Sequence, residues 1–228
     1  MCINKLSMND LYEVTSHFNS QVSVDHRYAS FDFCYSNFHP LTRKTDDIQI
    51  NCLHLGFYLA SWGMMRGSSF LLQKSVRHFA SYIEYVNILP QEYWDDDVDT
   101  YCKITAERIF ELYAKTSELI IPNNHQPLTL TTKILLGVFG NVPAFDTYFR
   151  KTMKHVFMGR SAFSTFSVKN LMLLNEFYLS NRDEIDRVSR SQKLLSFDGS
   201  VCEVHNYPKI KIIDTYAFNK GLMNRGNG

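Results

Sequence analysis

No stretch of this 228-residue chain approaches the ~18–20 uninterrupted apolar positions that a membrane-spanning helix needs. The most apolar stretch, Leu53 to Leu72, is interrupted by Arg66 and Gly67. The opening residues, MCINKLSMNDLYEV, hold neither an apolar core nor a small-residue cleavage site, so no signal peptide is expected. The five cysteines (Cys2, Cys34, Cys52, Cys102 and Cys202) are odd in number and irregularly spaced. That pattern excludes a disulfide framework and points to reduced thiols in a cytoplasmic protein. Common catalytic signatures are missing too: there is no GxSxG elbow, no HExxH, no kinase set and no GxxxxGK(S/T) phosphate loop. Two Cys/His pairs stand close in sequence. Cys52 and His54 are two apart on an expected helix and so point about 200° apart. Cys202 and His205 lack the second pair that a four-ligand site requires. Neither a metal nor a cofactor is expected.

A large excess of one charge is also absent. Lys and Arg number 24 against 23 Asp and Glu, a net charge of +1, which rules out a wholly basic, histone-like protein. An apolar content of 45% rules out disorder as a global description. The near-balance hides an asymmetry: residues 1–130 carry 10 basic and 15 acidic side chains, and residues 131–228 carry 14 and 8. An acidic front and a basic back suit a partner surface or a phosphate-facing side, or simply solvated helix faces that differ.

What is present reads as helix. Leu11, Val14 and Phe18 mark a short amphipathic helix within Leu6–Phe18. The aromatic-rich segment Tyr28–His39 carries Phe31, Cys34, Tyr35 and Phe38 at helical spacing and ends at Pro40. Asp46 and Asp47 open a helix over roughly 47–65, apolar on so many sides that burial nearly all round is expected. Gly63 and Gly67 break it, and Ser68 or Ser69 can cap a helix running from about 70 to Pro90. The run EYWDDDVD (Glu92–Asp99) places five acids in eight residues before a helix over about 96–120. Acids favour a helix N-terminus, and one contiguous run seldom supplies converging metal ligands. IPNNHQP (121–127) is the best linker. Beyond it come helical segments, a short hairpin near 195–205 turning at Asp198-Gly199, and a final helix opened by Pro208. The expected fold class is therefore all-α or nearly so. It is a multi-helix bundle in two packed lobes, an acidic one over 1–120 and a basic one over 128–228.

Two segments carry candidate chemistry. In Gly63–Ser69, Arg66 with the Ser68 and Ser69 hydroxyls could hold an anion at a helix N-terminus, or the glycines could simply permit a tight turn. A buried Arg66 would need a partner. In Thr132–Lys154, two helices meet through the turn Gly137-Val138-Phe139-Gly140-Asn141, flanked by Lys133, Arg150, Lys151 and Lys154. Free backbone N–H groups at such a turn hold a DNA phosphate without reading sequence. Asp146 follows, free to act as an acid or to pair with Arg150 at i, i+4. The aromatics of Tyr28–Phe38 form a candidate groove wall or partner surface.

The segment Thr132–Lys154 resembles the helix-hairpin-helix core of the base-excision DNA glycosylase superfamily. That resemblance implies DNA-backbone contact at Gly137 and Gly140, and a role in base removal for Asp146. The hairpin is one residue longer than that family's G-hydrophobic-G, and no lysine stands just after it to serve as the nucleophile of lyase-type members. The segments LGFYLASWGMMRGSSFLLQ (55–73) and TKILLG (132–137) with VPAFDTYF (142–149) also resemble small bacterial open reading frames. That second resemblance implies one component of a bacterial defence or mobile-element system. The leading expectation is a non-catalytic subunit that contacts nucleic acid or a protein partner. The alternatives are a glycosylase using Asp146, and a purely protein-binding adaptor presenting the Glu92–Asp99 or Tyr28–Phe38 face.

Overall fold

Helix caps and buried stripes set the element order. The structure, a computed structural model, describes Leu11, Glu13, Thr15 and residues 23–123, 125–202 and 206–223. The helix expected over Leu6–Phe18 falls mainly outside them. His26 caps a 3-10 turn, Arg27–Ala29, which runs straight into α1 (Ser30–Phe38). The Asp47 carboxylate accepts from the Ile50 N–H at 2.8 Å and starts α2 (Ile48–Ser61). Two 3-10 turns, Phe70–Gln73 and Val76–Phe79, then lead to α3 (Ala80–Asn87). One continuous helix was expected here, but Lys74 and Ser75 are extended and divide it. The acidic run forms the single turn α4 (Glu92–Asp95), separate from α5 (Lys103–Ile120). Then follow α6 (Leu128–Phe139), α7 (Thr147–Val156), α8 (Val168–Ser180), α9 (Arg182–Ser191) and α10 (Lys209–Met223). Between α9 and α10 lies a hairpin of two antiparallel strands, β1 (Leu194–Leu195) and β2 (Val201–Cys202), turning at Asp198-Gly199. The chain is thus all-α but for this hairpin.

The core is built around α6 and α10. Every residue of α6 from Leu130 to Phe139 is buried, because α1, α2 and α5 all pack on it. Gly137 permits the closest approach: a Cβ there would lie 2.3 Å from the Tyr58 ring. α10 packs on α7 and α9 and is buried from Ile210 through Ala217. The 121–127 connection does separate α5 from α6. However, one cluster of buried side chains spans both sides of it, so the two expected lobes share a single core.

The acidic run is tied inward. Asp96 takes the Arg108 guanidinium at 2.5 and 2.9 Å. Asp97 accepts from the backbone N–H groups of Lys209 and Ile210 at 2.7 and 2.9 Å, capping α10 from 112 and 113 residues away. Asp99 pairs with Lys209. Glu92 also pairs with Arg108 at 3.5 Å, so four of the five acids are bonded within the fold and the run does not form the open acidic face that was expected. Among the described residues no helix is long and apolar enough to cross a membrane.

Candidate functional site

A cavity of about 940 Å³ opens beside α1 and α2. Phe33, Cys34 and Asn37 of α1 form one wall, because positions 33, 34 and 37 share a helix face. Leu53, His54 and Phe57 of α2 form the second. The hairpin closes a third side with Leu195, Phe197 and Val201. α2 is not buried all round as its composition suggested. Ile48, Ile50, Leu53 and Phe57 are exposed, Phe57 at 65%, and Leu53 and Phe57 face this cavity. Phe197 at the hairpin turn is 87% exposed and meets the Phe33 ring edge-on at 5.8 Å. Burial lowers the pKa of the His54 imidazole, which favours its neutral form at pH 7. The expectation that Tyr28–Phe38 supplies a groove wall holds for Phe33.

Compared with known proteins, the chain matches no family model, no curated protein and no solved structure.

The other expected site residues lie elsewhere, and their surroundings decide what they can do. The corner between α6 and α7 is packed inside. Asn141 is 0% exposed, and Gly137, Gly140 and Val142 are buried. Gly140 ends α6 in the left-handed conformation (φ 64°), its N–H bonded to the Leu136 carbonyl. Several polar groups around it are taken up by distant residues, while Asn141 Oδ1 is buried with no hydrogen-bond partner among the described residues. Trp94 Nε1–H donates to the Val138 carbonyl at 2.9 Å, and the Tyr101 hydroxyl donates to the Asn141 carbonyl. The Phe145 N–H donates to Thr132 Oγ1 at 2.9 Å, and the Ala144 N–H to Asp214 Oδ1 at 2.9 Å. The expected outward-facing amides at Gly137, Gly140 and Asn141 are therefore absent. The turn is covered by Trp94 of α4, by Tyr101, and by Tyr35 and Pro208 against Gly140.

Lys133 is likewise interior, 4% exposed, with its Nζ 3.5 Å from Asp146 Oδ2. Burial lowers its pKa, and Asp146 and Asp214 oppose that shift. Asp146 caps α7: its Oδ1 accepts from the Tyr148 and Phe149 N–H groups, each at 3.0 Å. Its ion-pair partner is thus Lys133 and not Arg150. A carboxylate held on two amides and a buried ammonium is fixed in place, and it does not line the cavity. Lys151 and Lys154 are exposed on α7, and Arg150 is half-buried.

Arg66 is exposed, with its guanidinium lying over Gly63, so no buried charge needs a partner there. Ser69 caps the four-residue turn Phe70–Gln73 through its Oγ, and Ser68 is exposed. So short a turn brings no aligned helix dipole to an anion, and the trio forms a turn.

A second feature was not legible in the sequence. Lys211 and Asp214, both buried, pair at 2.8 Å beside Lys133 and Asp146. The Lys211 ammonium sits 4.3 Å from the Trp62 ring centroid and 4.9 Å from that of Phe31. Asp32 of α1 faces Lys211, accepts from the Leu195 N–H at 3.0 Å and takes the Tyr207 hydroxyl. This network joins α1, α6, α7, α10 and the hairpin. Its i, i+3 spacing at Lys211 and Asp214 is the one sequence signal, and any exposed helix shows the same spacing.

The thiols differ sharply. Cys34 and Cys52 are buried, and burial raises both pKa values. Cys102 is exposed at the N-terminus of α5. There the Thr105 hydroxyl and backbone N–H stabilise its thiolate and lower its pKa. Limited alkylation of the native protein, read by peptide mass, should modify Cys102 well before Cys34 or Cys52. Equal labelling of the three would contradict this placement.

Proposed function

We propose that the protein is a non-catalytic binding subunit whose working surface is the cavity between α1, α2 and the hairpin, and that it holds an apolar ligand there. One observation carries this reading. Of the fifteen large apolar side chains left exposed among the described residues, five (Leu41, Leu53, Phe57, Phe197 and Val201) converge on this one cavity. Scattered singly over the surface they would need no explanation; gathered around one concavity, they mark a binding site. The volume suits a small molecule of ordinary size, since ligand pockets run to about 300–1,000 Å³. Two of the cavity's serine hydroxyls, Ser30 Oγ and Ser36 Oγ, are buried without a hydrogen-bond partner among the described residues, so no adjacent base activates either as a nucleophile. That favours holding over chemistry. Of the alternatives, the phosphate-contacting one loses its free amides at Gly137–Asn141, and the glycosylase one loses an open Asp146.

The test uses an uncharged apolar dye, N-phenyl-1-naphthylamine, titrated against the native chain and the Leu53→Ser and Phe57→Ser variants. Both positions are exposed, so the variants should melt within a few degrees of the parent. Dye affinity should fall about tenfold in each, the cost of losing most of one apolar side chain's contact. Dye that fails to bind, or that binds all three proteins equally, would refute the reading.

A further inference from the structure

The polar side of the same cavity says what kind of ligand it takes. Residues 27–38 form one continuous helical run, a 3-10 turn leading into α1, so Arg27 and Ser30 stand at i, i+3 on one face. Both line the cavity. Ser30 is 3% exposed, and its hydroxyl has no partner among the described residues. A buried hydroxyl left unbonded costs about 1–3 kcal/mol, so a ligand atom that bonds it is favoured. The Arg27 guanidinium stacks 4.7 Å from the Tyr28 ring centroid and has no carboxylate partner among the described residues. Stacking fixes its plane while leaving its N–H edges free to fork onto a carboxylate. Lys44 adds a second cation to the lining, against one acid, Asp25, among the described residues. Phe33, Leu53, Phe57 and Phe197 give the cavity its apolar surface, beside the neutral polar side chains of Asn37, Thr42 and Ser196 and the imidazoles of His26 and His54.

We infer that the cavity's ligand is an amphipathic carboxylate, its acid group held by Arg27 and the Ser30 hydroxyl and its apolar body lying between α2 and the hairpin. This rests on the binding reading above.

The experiment is displacement of bound N-phenyl-1-naphthylamine by three probes of one chain length: dodecanoate, 1-dodecanol and dodecylamine, each below its micelle concentration at pH 7.5. Dodecanoate should displace the dye at about one tenth the concentration of dodecanol, the worth of one charge-assisted hydrogen bond, and dodecylamine should be the weakest. Arg27→Gln should bring acid and alcohol to within about threefold, and Ser30→Ala should weaken dodecanoate more than dodecanol, each displacement being referred to that variant's own dye affinity. Equal potency of acid and alcohol, or preference for the amine, overturns the inference and leaves the apolar site standing. A preference for the acid that persists in Arg27→Gln overturns the assigned headgroup site. Failure of the dye to bind the parent protein removes the binding reading, and this inference with it.

Discussion

Asp214→Ala should lower the unfolding free energy by about 3–5 kcal/mol, the usual cost of removing one partner of a buried ion pair. The reason is what the substitution leaves behind. Lys211 is 2% exposed and lies between the Trp62 and Phe31 rings, so its ammonium cannot reach water. The Ala144 N–H, which donates to Asp214 Oδ1, loses its acceptor in the interior as well. Cation–π contacts with Trp62 and Phe31 offset part of the loss, each worth up to about 2 kcal/mol when desolvated. The double variant Lys211→Met, Asp214→Leu should recover much of the stability, because an apolar pair of similar volume needs no desolvation of charge. Urea denaturation of the parent, the single variant and the double variant measures all three. A single variant within about 1 kcal/mol of the parent would show that Lys211 has another partner or reaches solvent.

Asp32 makes stability depend on pH in the opposite direction from a surface carboxylate. Burial pushes its pKa up to about 7 against the stabilising effects of the Leu195 N–H, Lys211 and the Tyr207 hydroxyl, whereas the unfolded chain has an ordinary value of 3.8. The folded state therefore holds this proton more tightly than the unfolded state. Its contribution is fully present below the unfolded value and is lost as pH rises through the folded one. Between pH 5 and pH 7 the loss is about 2 kcal/mol, at 1.36 kcal/mol per pH unit. Asp32→Asn keeps the shape and removes the titration. Relative to Asp32→Asn, the parent should lose stability steadily from pH 5 to pH 7, and the difference should level off above about pH 8. A difference that is flat in pH, or one that runs the other way, would show that Asp32 is ionised throughout. Leu195 lies on the hairpin that walls the cavity, so this titration acts at the edge of the binding surface.

Local chemistry made much of the fold legible. Asp47 caps α2, and Asp198-Gly199 turns the hairpin; both follow from a side chain bonding its own neighbourhood. The Gly63 break after α2 is of the same kind, with its φ of 76° in the region that glycine tolerates. What the sequence concealed was set by partners far along the chain. The Gly137–Asn141 turn looks like an exposed corner until Trp94 and Tyr101 are brought to it from 44 and 40 residues away. Asp97 reads as a cap for the helix that follows it, yet it caps α10. The cavity was half visible. Aromatic crowding at Phe33 suggested a wall, but the outward faces of Leu53 and Phe57 look in sequence like more core. A helix with apolar residues on every side does not say which side the fold leaves uncovered.

The helix that completes the interior is made after every element it closes on. Until Lys209–Met223 emerges, Thr152 has no Ala217 carbonyl to donate to, Asp97 has no amides to hold, and the inner faces of α7 and α9 have nothing to lie against. During synthesis, then, everything upstream waits in an unfinished state with apolar side chains in water, and only this late segment closes it. A ribosome that stalls before residue 209 would leave a sticky, protease-sensitive fragment instead of a smaller working protein.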